Sequence, residues 1–506
     1  MRPKPSPKIL ALIFVSMIFL TSGLFAQTFE LKDYKNPDYQ FKMLETGFSF
    51  GSITSGNRQS YAGSHSWPES KNDRFEISGL LTPNYYAYKN RRHYQGSQRL
   101  QLGLNPGYIS GNNELINQNS TQSEENKHRS FIGDLYAETN NRFYNNKLQF
   151  FEVNTKLQYR YNGQKNSQDK DPVDYQSAQS AIDRNQEINL YVPLLIGTGR
   201  IESVQDARLA LYIFDDLKKS GNLKHEPNKE EIETFASFIT QLKNKRHFDS
   251  RLRKISEITA VDSMLQTMGL KTGSEASWFT LLNDNWNFAA GPQRESGSRF
   301  SFGVAPRMMI DLNFGRDKYL DATDQESVLE NKGQNRAIGA DILVSYLRSV
   351  PTSAEWQHDT YAEAVFSPLN TYSVTKSFED DIMTSEAELF YKEPSFGATV
   401  SHEIGYYPNS RTSVSLLGEA GYRYFYKAKR KVDPLEEEES RNNLSTRLRL
   451  QGHYYLSPQL TFNAVLAGYY NSNNSMIRSI QTSAELTSYD KNFSGELSLG
   501  FTYKLF

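Results

Sequence analysis

Charged side chains recur at every second position in the most regular stretches of this sequence. Arg299, Arg307 and Asp311 share one side of one stretch, Glu419 and Arg423 one side of another, and Arg447 and Arg449 one side of a third. Arg99, Lys156, His453, Glu496 and Lys504 hold the matching position in theirs. Fixed charges of both signs on one polar face suit two roles. They can pair across strands, as any hydrated interior requires, or form a ring that biases which ions and solutes pass. Arg423, Arg447 and Arg449 sit on neighbouring stretches and are expected to form a basic wall.

Other chemistry finds weaker footing. A hydrolase needs a nucleophile beside a base, and geometry rather than spacing defines that site. His65 lies between Ser64 and Ser66 in a serine-rich segment, where neighbours of this kind arise by chance. His402 and His453 fall on alternating segments, and His402 is expected to point outward. Asp169, Asp171 and Asp174 are spaced like a loose calcium loop but lack its glycine and terminal glutamate, so a solvated acidic loop is expected. Cysteine is absent, which excludes disulfides and thiolate chemistry. With no phosphate-cradling glycine motif, zinc pattern or nucleic-acid motif, no cofactor, metal or nucleic-acid partner is expected, and no enzyme.

The elements that position these charges read most clearly between Leu444 and Tyr470. Leu444, Thr446, Leu448, Leu450, Gly452 and Tyr454 alternate with Ser445, Arg447, Arg449, Gln451 and His453. After Ser457-Pro458-Gln459, the alternation resumes with Leu460, Phe462, Ala464, Leu466 and Gly468. A period of two means strands with one apolar and one polar face. Each is long enough to cross a bilayer, for which roughly 9–11 tilted residues suffice. One end of the hairpin is a short turn and the other leads into long polar loops. A soluble sandwich has no reason for that asymmetry, whereas a membrane barrel does.

The formal net charge is -1, from 57 basic and 58 acidic side chains, so no bulk field favours nucleic acid. The chain holds 31 Tyr and 30 Phe yet is polar overall, which one thin apolar band explains. Arg2, Lys4 and Lys8 precede an apolar run from Ile9 to Leu20 and the small residues before Gln27, the pattern of a signal peptide over residues 1–26. Residues 27–42 are expected to be a polar periplasmic segment.

About fourteen strands are expected, six in residues 43–200 and the rest in 298–506. Between them, residues 201–297 change period. Ser203 to Asp206 reads as a helix cap, and Leu211, Phe214 and Leu217 follow at helical spacing. A second helix opens near Pro227 and presents Ile232, Phe235, Ile239 and Leu242. Further helices are expected over 247–258 and 260–268. Leu211, Phe214, Leu217 and Ile232 should form the core of this insert. The segments 56–73, 110–129, 371–394, 429–441 and 471–492 are read as loops.

With its leader, its alternating final strand and the terminal Phe506, the chain resembles bacterial outer-membrane β-barrel proteins. That resemblance implies an all-β transmembrane antiparallel barrel in lipid, inserted by the barrel-assembly machinery. With the C-terminus periplasmic, the short turns near residues 90, 145, 351, 409 and 458 and the helical insert all fall on the periplasmic side. Two functions fit. One is a passive or gated channel for small hydrophilic solutes. The other is a closed structural or assembly component docking a periplasmic protein through exposed Phe235, Phe238 or Phe248.

Overall fold

The computed structural model describes residues 29–59, 69–117, 120–171, 177–244, 250–272, 275–288, 294–320, 325–432, 435–457, 459–479 and 485–503. Residues 1–26, His65, Asp174, Phe248 and 504–506 lie outside these, as do the side chains of Asp169 and Asp171.

In chain order the strands are β1 Tyr39–Gln59, β2 Glu69–Arg91, β3 Tyr94–Asn117, β4 Ser120–Tyr144, β5 Gln149–Asp171, β6 Ser177–Tyr191 and β7 Leu194–Ser203. After the helices come β8 Glu295–Leu320, β9 Glu326–Pro351, β10 Trp356–Glu379, β11 Ile382–Tyr406, β12 Thr412–Val432, β13 Leu435–Tyr455, β14 Leu460–Ser479 and β15 Glu485–Tyr503. The helices are α1 Gln205–Lys219, α2 Lys229–Lys243, α3 Ser250–Thr267 and α4 Glu275–Asn287.

The strands form one antiparallel sheet in sequence order. Strands β6 and β7 share one rank, since both pair with β5 and β8. They are divided at Val192-Pro193, where proline has no N–H to give the ladder. There the Val192 amide donates to the Pro306 carbonyl, and the Asn154 amide to that of Pro193. Fifteen strands therefore occupy fourteen ranks.

The apolar faces turn outward. Leu416, Leu450, Leu466 and Leu497 stand opposite one another across β12 to β15, each more than two-fifths exposed. Val304, Ile342, Phe366, Phe396 and Tyr424 make a second such row. At the short-turn end of the same face the rings of Trp356 and Tyr406 lie 4.5 Å apart. A greasy band edged by aromatics is the outer surface of an outer-membrane β-barrel.

The structure differs from the sequence reading in several places. The expected closed barrel has no closing ladder: among the described residues nothing pairs β1 with β15. The curl is held instead at one end, where a helical unit ties together hairpins from distant parts of the sheet. The segments read as loops are for the most part strand. Residues 110–117 and 120–129 continue β3 and β4, and β10 and β11 run to a two-residue Asp380-Asp381 turn in which both residues have positive φ. Strand β8 has 26 residues, against the ~10 that a bilayer needs. Beyond the band both faces meet water, so the extensions carry no apolar alternation. Charge replaces it: the register sets Lys429, Arg430 and Lys431 opposite Glu438, Glu437 and Glu436.

The helices bury their stripes against one another. Phe214, Leu217, Ile232, Phe235, Ile239, Leu265, Trp278 and Leu282 are all under 9% exposed, and Leu211 packs at the margin of this core. Acidic groups inside it are satisfied: Asp262 accepts from the Trp278 indole at 2.8 Å, and Glu257 from Trp286 at 2.8 Å. Helix α2 is capped by Asn228 and Glu231, which bond each other's backbone amides at 3.0 and 2.8 Å.

Helix boundaries differ from those expected. Ser203 still belongs to β7, opposite Glu295, so α1 is capped by Val204 without a side-chain bond. One helix, α3, spans the two expected over 247–268, and α4 was not anticipated as a separate element. Residues 27–42 are not a free polar segment where described. Leu31 and Tyr34 join the helical core, and β1 already begins at Tyr39.

Candidate functional site

Register continuity assigns the inward face. Arg299, Arg307 and Asp311 on β8, Glu419 and Arg423 on β12, and Arg447 and Arg449 on β13 all have the parity opposite to the apolar rows. They do not converge on one ring. The Arg307 Nε lies 3.3 Å from Asp341 Oδ1, and Ser367 accepts from Arg307 at 2.6 Å while donating to Asp341 at 2.6 Å. Glu187 and Asn335 flank Asp311 in the ladder. Arg299 lies within electrostatic reach of Arg142 and Glu152, which form a two-bond pair at 2.5 and 2.9 Å. Arg160 with Asp134 at 2.8 Å and Lys156 with Glu138 at 3.6 Å repeat the pattern.

The expected basic wall is diluted. Glu419 stands directly opposite Arg447, Leu417 opposite Arg449 and Asn443 opposite Arg423. Arg447 lies over the Tyr469 ring at 5.4 Å, and that tyrosine donates to Glu496 at 3.0 Å. His453 contacts Asn463 at 2.6 Å, whereas His402 has outward parity and meets Thr360 at 2.9 Å. The inward face is a polar wall carrying charges of both signs, several of them paired. A compact apolar patch on it, Leu195 with Ala305 and Leu343, lies beside the β6/β7 break.

The helical unit spans the end at which the short turns gather. On one side, Arg200 donates to the carbonyls of Arg92 and Arg91 at 2.8 and 3.0 Å, and to Asn90 Oδ1 at 2.7 Å. The Gln95 side chain donates to the Ile201 carbonyl at 2.9 Å. On the other side, the Tyr212 hydroxyl donates to the Tyr407 carbonyl at 2.6 Å. Arg294 donates to the carbonyls of Ser353 at 2.8 Å, Trp356 at 2.6 Å and Ala354, and to Gln357 Oε1 at 3.2 Å. Asp284 on α4 pairs with Arg411, and the Phe288 ring meets Tyr455 at 5.8 Å. The hairpins touched, β2–β3 by the end of β7 and β9–β10, β11–β12 and β13–β14 by α1, α4 and the α4–β8 junction, lie far apart in the sheet order. The helical unit and the strand end that leads into it therefore contact both parts of the rim.

Two buried arginines face the Tyr407 ring, Arg294 at 5.1 Å and Arg208 at 5.6 Å. Burial pushes the Arg294 guanidinium down to about 10, and lowers Arg208 as well. Burial raises Tyr212 and Tyr407 and pushes Tyr34 up to about 12. Arg294 is well satisfied, whereas Nε and Nη1 of Arg208 have no hydrogen-bond partner among the described residues. None of these latch residues stood out in the sequence. The one available signal was Arg208 and Tyr212 at i and i+4, sharing a face of an otherwise apolar helix.

No family model matches the chain, and no curated protein matches it. Solved structures give remote likenesses. The toluene transporter TodX of P. putida is 10% identical with a TM-score of 0.24, over 94% of this chain and 93% of that one. A TodX deltaS2 mutant is 11% identical with a TM-score of 0.24, covering 92% of each chain. The CymD monoaromatic hydrocarbon channel is 9% identical with a TM-score of 0.19, over 93% and 89%. Similarity this distant leaves the chain to be read from its own residues.

The helices join the sheet through β7 and β8, and each strand carries a glycine of positive φ. Gly199 has φ +95° and Gly297 φ +121°. An added Cβ would fall 2.1 Å from the Ser298 oxygen at Gly199, and 2.1 Å from the Arg200 oxygen at Gly297. Only glycine adopts such backbone without strain. The two positions lie two rungs apart on one ribbon, since Gly199 pairs with Arg299 and Gly297 with Ile201. They mark a crease, a local departure from regular strand backbone, on the ribbon that carries the helical unit.

Proposed function

We propose that this protein is a gated channel of a bacterial outer membrane for small hydrophilic solutes, with helices α1 to α4 as its gate. The reading rests on one observation: the helical unit, with the end of β7 that leads into it and the Arg294 junction that leaves it, contacts rim hairpins far apart in the sheet order, beside a polar inner wall. The outward apolar rows supply the lipid contact. The short turns and the gate belong on the periplasmic side, because barrels keep short turns there and long extensions outside. Inner charges of both signs favour neutral or zwitterionic solutes over strong ion selectivity.

A docking role has less support. Phe235 is fully buried, and Phe238, partly buried, packs against the helical core, so neither presents a fully exposed ring. Lipid and the barrel-assembly machinery remain the partners this reading needs. Liposome swelling tests it. Excising residues 204–294, with a short linker from Ser203 to Glu295, should speed arabinose entry over the intact protein. Equal entry rates for the two proteins would remove the gate.

A further inference from the structure

Far from the gate, the strand extensions enclose a second concavity. It has a volume of about 640 Å³ and lies on the inward face of β1 to β6 at the loop end. Pockets that hold small organic ligands typically span ~300–1,000 Å³. Register builds this one from rows of amides. Asn57, Asn72 and Asn113 stand opposite one another on β1, β2 and β3. Two rungs nearer the membrane, Asn126 faces Gln168 across β4 and β5, and Asn166 follows two rungs further on, beside His128. At the centre of these rungs is Gly111, where an added Cβ would meet only the Asp73 carbonyl oxygen, at 3.6 Å. The missing side chain leaves the floor of the pocket open.

The side chains of Asn57, Asn72 and Asn113 make no hydrogen bond among the described residues and are exposed to the concavity. Several formal charges around it pair: Lys71 with Asp73 at 3.3 Å, Arg74 with Glu76 at 2.9 Å and Lys127 with Glu125 at 2.8 Å, while Glu124, opposite Asn113, accepts from Asn126 at 2.8 Å and from Gln168. Among the described residues Ile109 and Ala181 contribute apolar side chains. An amide offers two donors and two acceptor lone pairs at one tip. Adjacent hydroxyls, each both donor and acceptor, are its natural complement. The Glu124 carboxylate among these amides gives no reason to hold an anion.

We propose that this vestibule is a binding site for a neutral carbohydrate. The inference deepens the channel reading by naming a solute class, but binding can be measured without any flux. The test is calorimetry or saturation-transfer NMR on the full chain in an amine-oxide detergent, which brings no sugar of its own. The probes are maltotriose and, as an anionic control, glucuronate.

Maltotriose should bind and glucuronate should not. Asn72→Ala with Asn113→Ala should weaken maltotriose binding about tenfold, through two lost hydrogen bonds. Gly111→Gln should abolish it by filling the floor, while an unchanged circular dichroism spectrum shows the sheet intact. Absence of maltotriose binding, preference for glucuronate, or an unaltered affinity in both variants would overturn the proposal. Liposome swelling of the same preparations separates the two claims: flux without binding removes only this site, and binding without flux removes only the channel.

Discussion

The Arg208 guanidinium lies 5.6 Å from the centre of the Tyr407 ring, almost wholly buried, with two of its nitrogens unpartnered. Arginine keeps its proton even here, so the docked gate holds a charge that the ring face only partly compensates. A few ångströms away, Arg294 meets the same ring with four oxygen acceptors. One arginine strains the latch and the other secures it.

Substitutions at the two should therefore act in opposite directions. Arg208→Met removes the unmet donors and should stabilise docking by roughly 1–3 kcal/mol. Arg294→Ala strips the bonds to the 353–357 turn and should weaken docking by about 3 kcal/mol or more. Hydrogen exchange in α1 reads both, slower in the first variant and faster in the second. The same direction of change in both would show that neither acts through the latch.

The crease predicts a backbone effect. Gly199→Ala and Gly297→Ala each force a side chain into a left-handed conformation against a carbonyl oxygen, at a cost of about 1–3 kcal/mol. Protease cleavage of the helical unit should rise in both variants while the sheet stays resistant. Unchanged cleavage would mean that the ribbon does not bend there.

Leu448 and Arg449 are neighbours on β13 with opposite faces, the first 59% exposed on the outward row. Leu448→Arg should cost roughly 2–4 kcal/mol of folding in lipid, and Arg449→Leu much less. Refolding yields into vesicles compare them directly, and equal yields would reverse the two faces.

These faces were legible in the sequence because one solvent boundary repeats every second residue. Leu448 and Arg449 carry that signal between them. The same rule hid the extensions: residues 110–129 have water on both sides, so nothing in their polarity marks strand from loop. It also hid the latch, because Arg208, Arg294 and Tyr407 meet only when distant hairpins curl to one rim. Gly199 and Gly297 were visible as glycines, but their positive φ follows from a crease that only the packed ribbon defines.

The capping box of α2 gives a pH prediction. Partial burial works to raise the Glu231 carboxyl, but bonds from the Asn228 backbone amide and from His225 outweigh it and hold the group below the usual carboxylate range. A depressed folded value means that the stabilisation is complete above the unfolded pKa of ~4.3 and is lost as pH falls through the lower folded value. Amide exchange at the start of α2, referenced to a helix without such a cap, should quicken below about pH 4. Glu231→Gln should remove that pH dependence, and a persistent response would assign it elsewhere.

The gate itself is tested most directly by pinning it. The chain has no cysteine, so Asp284→Cys with Arg411→Cys places the only thiols on α4 and the facing rim hairpin, where the native pair already lies in contact. A reducible bis-methanethiosulfonate linker then ties the helices to the rim in a planar bilayer. The account predicts that current bursts seen before linking vanish on linking and return on reduction. Conductance that is the same in the linked and reduced states would contradict it.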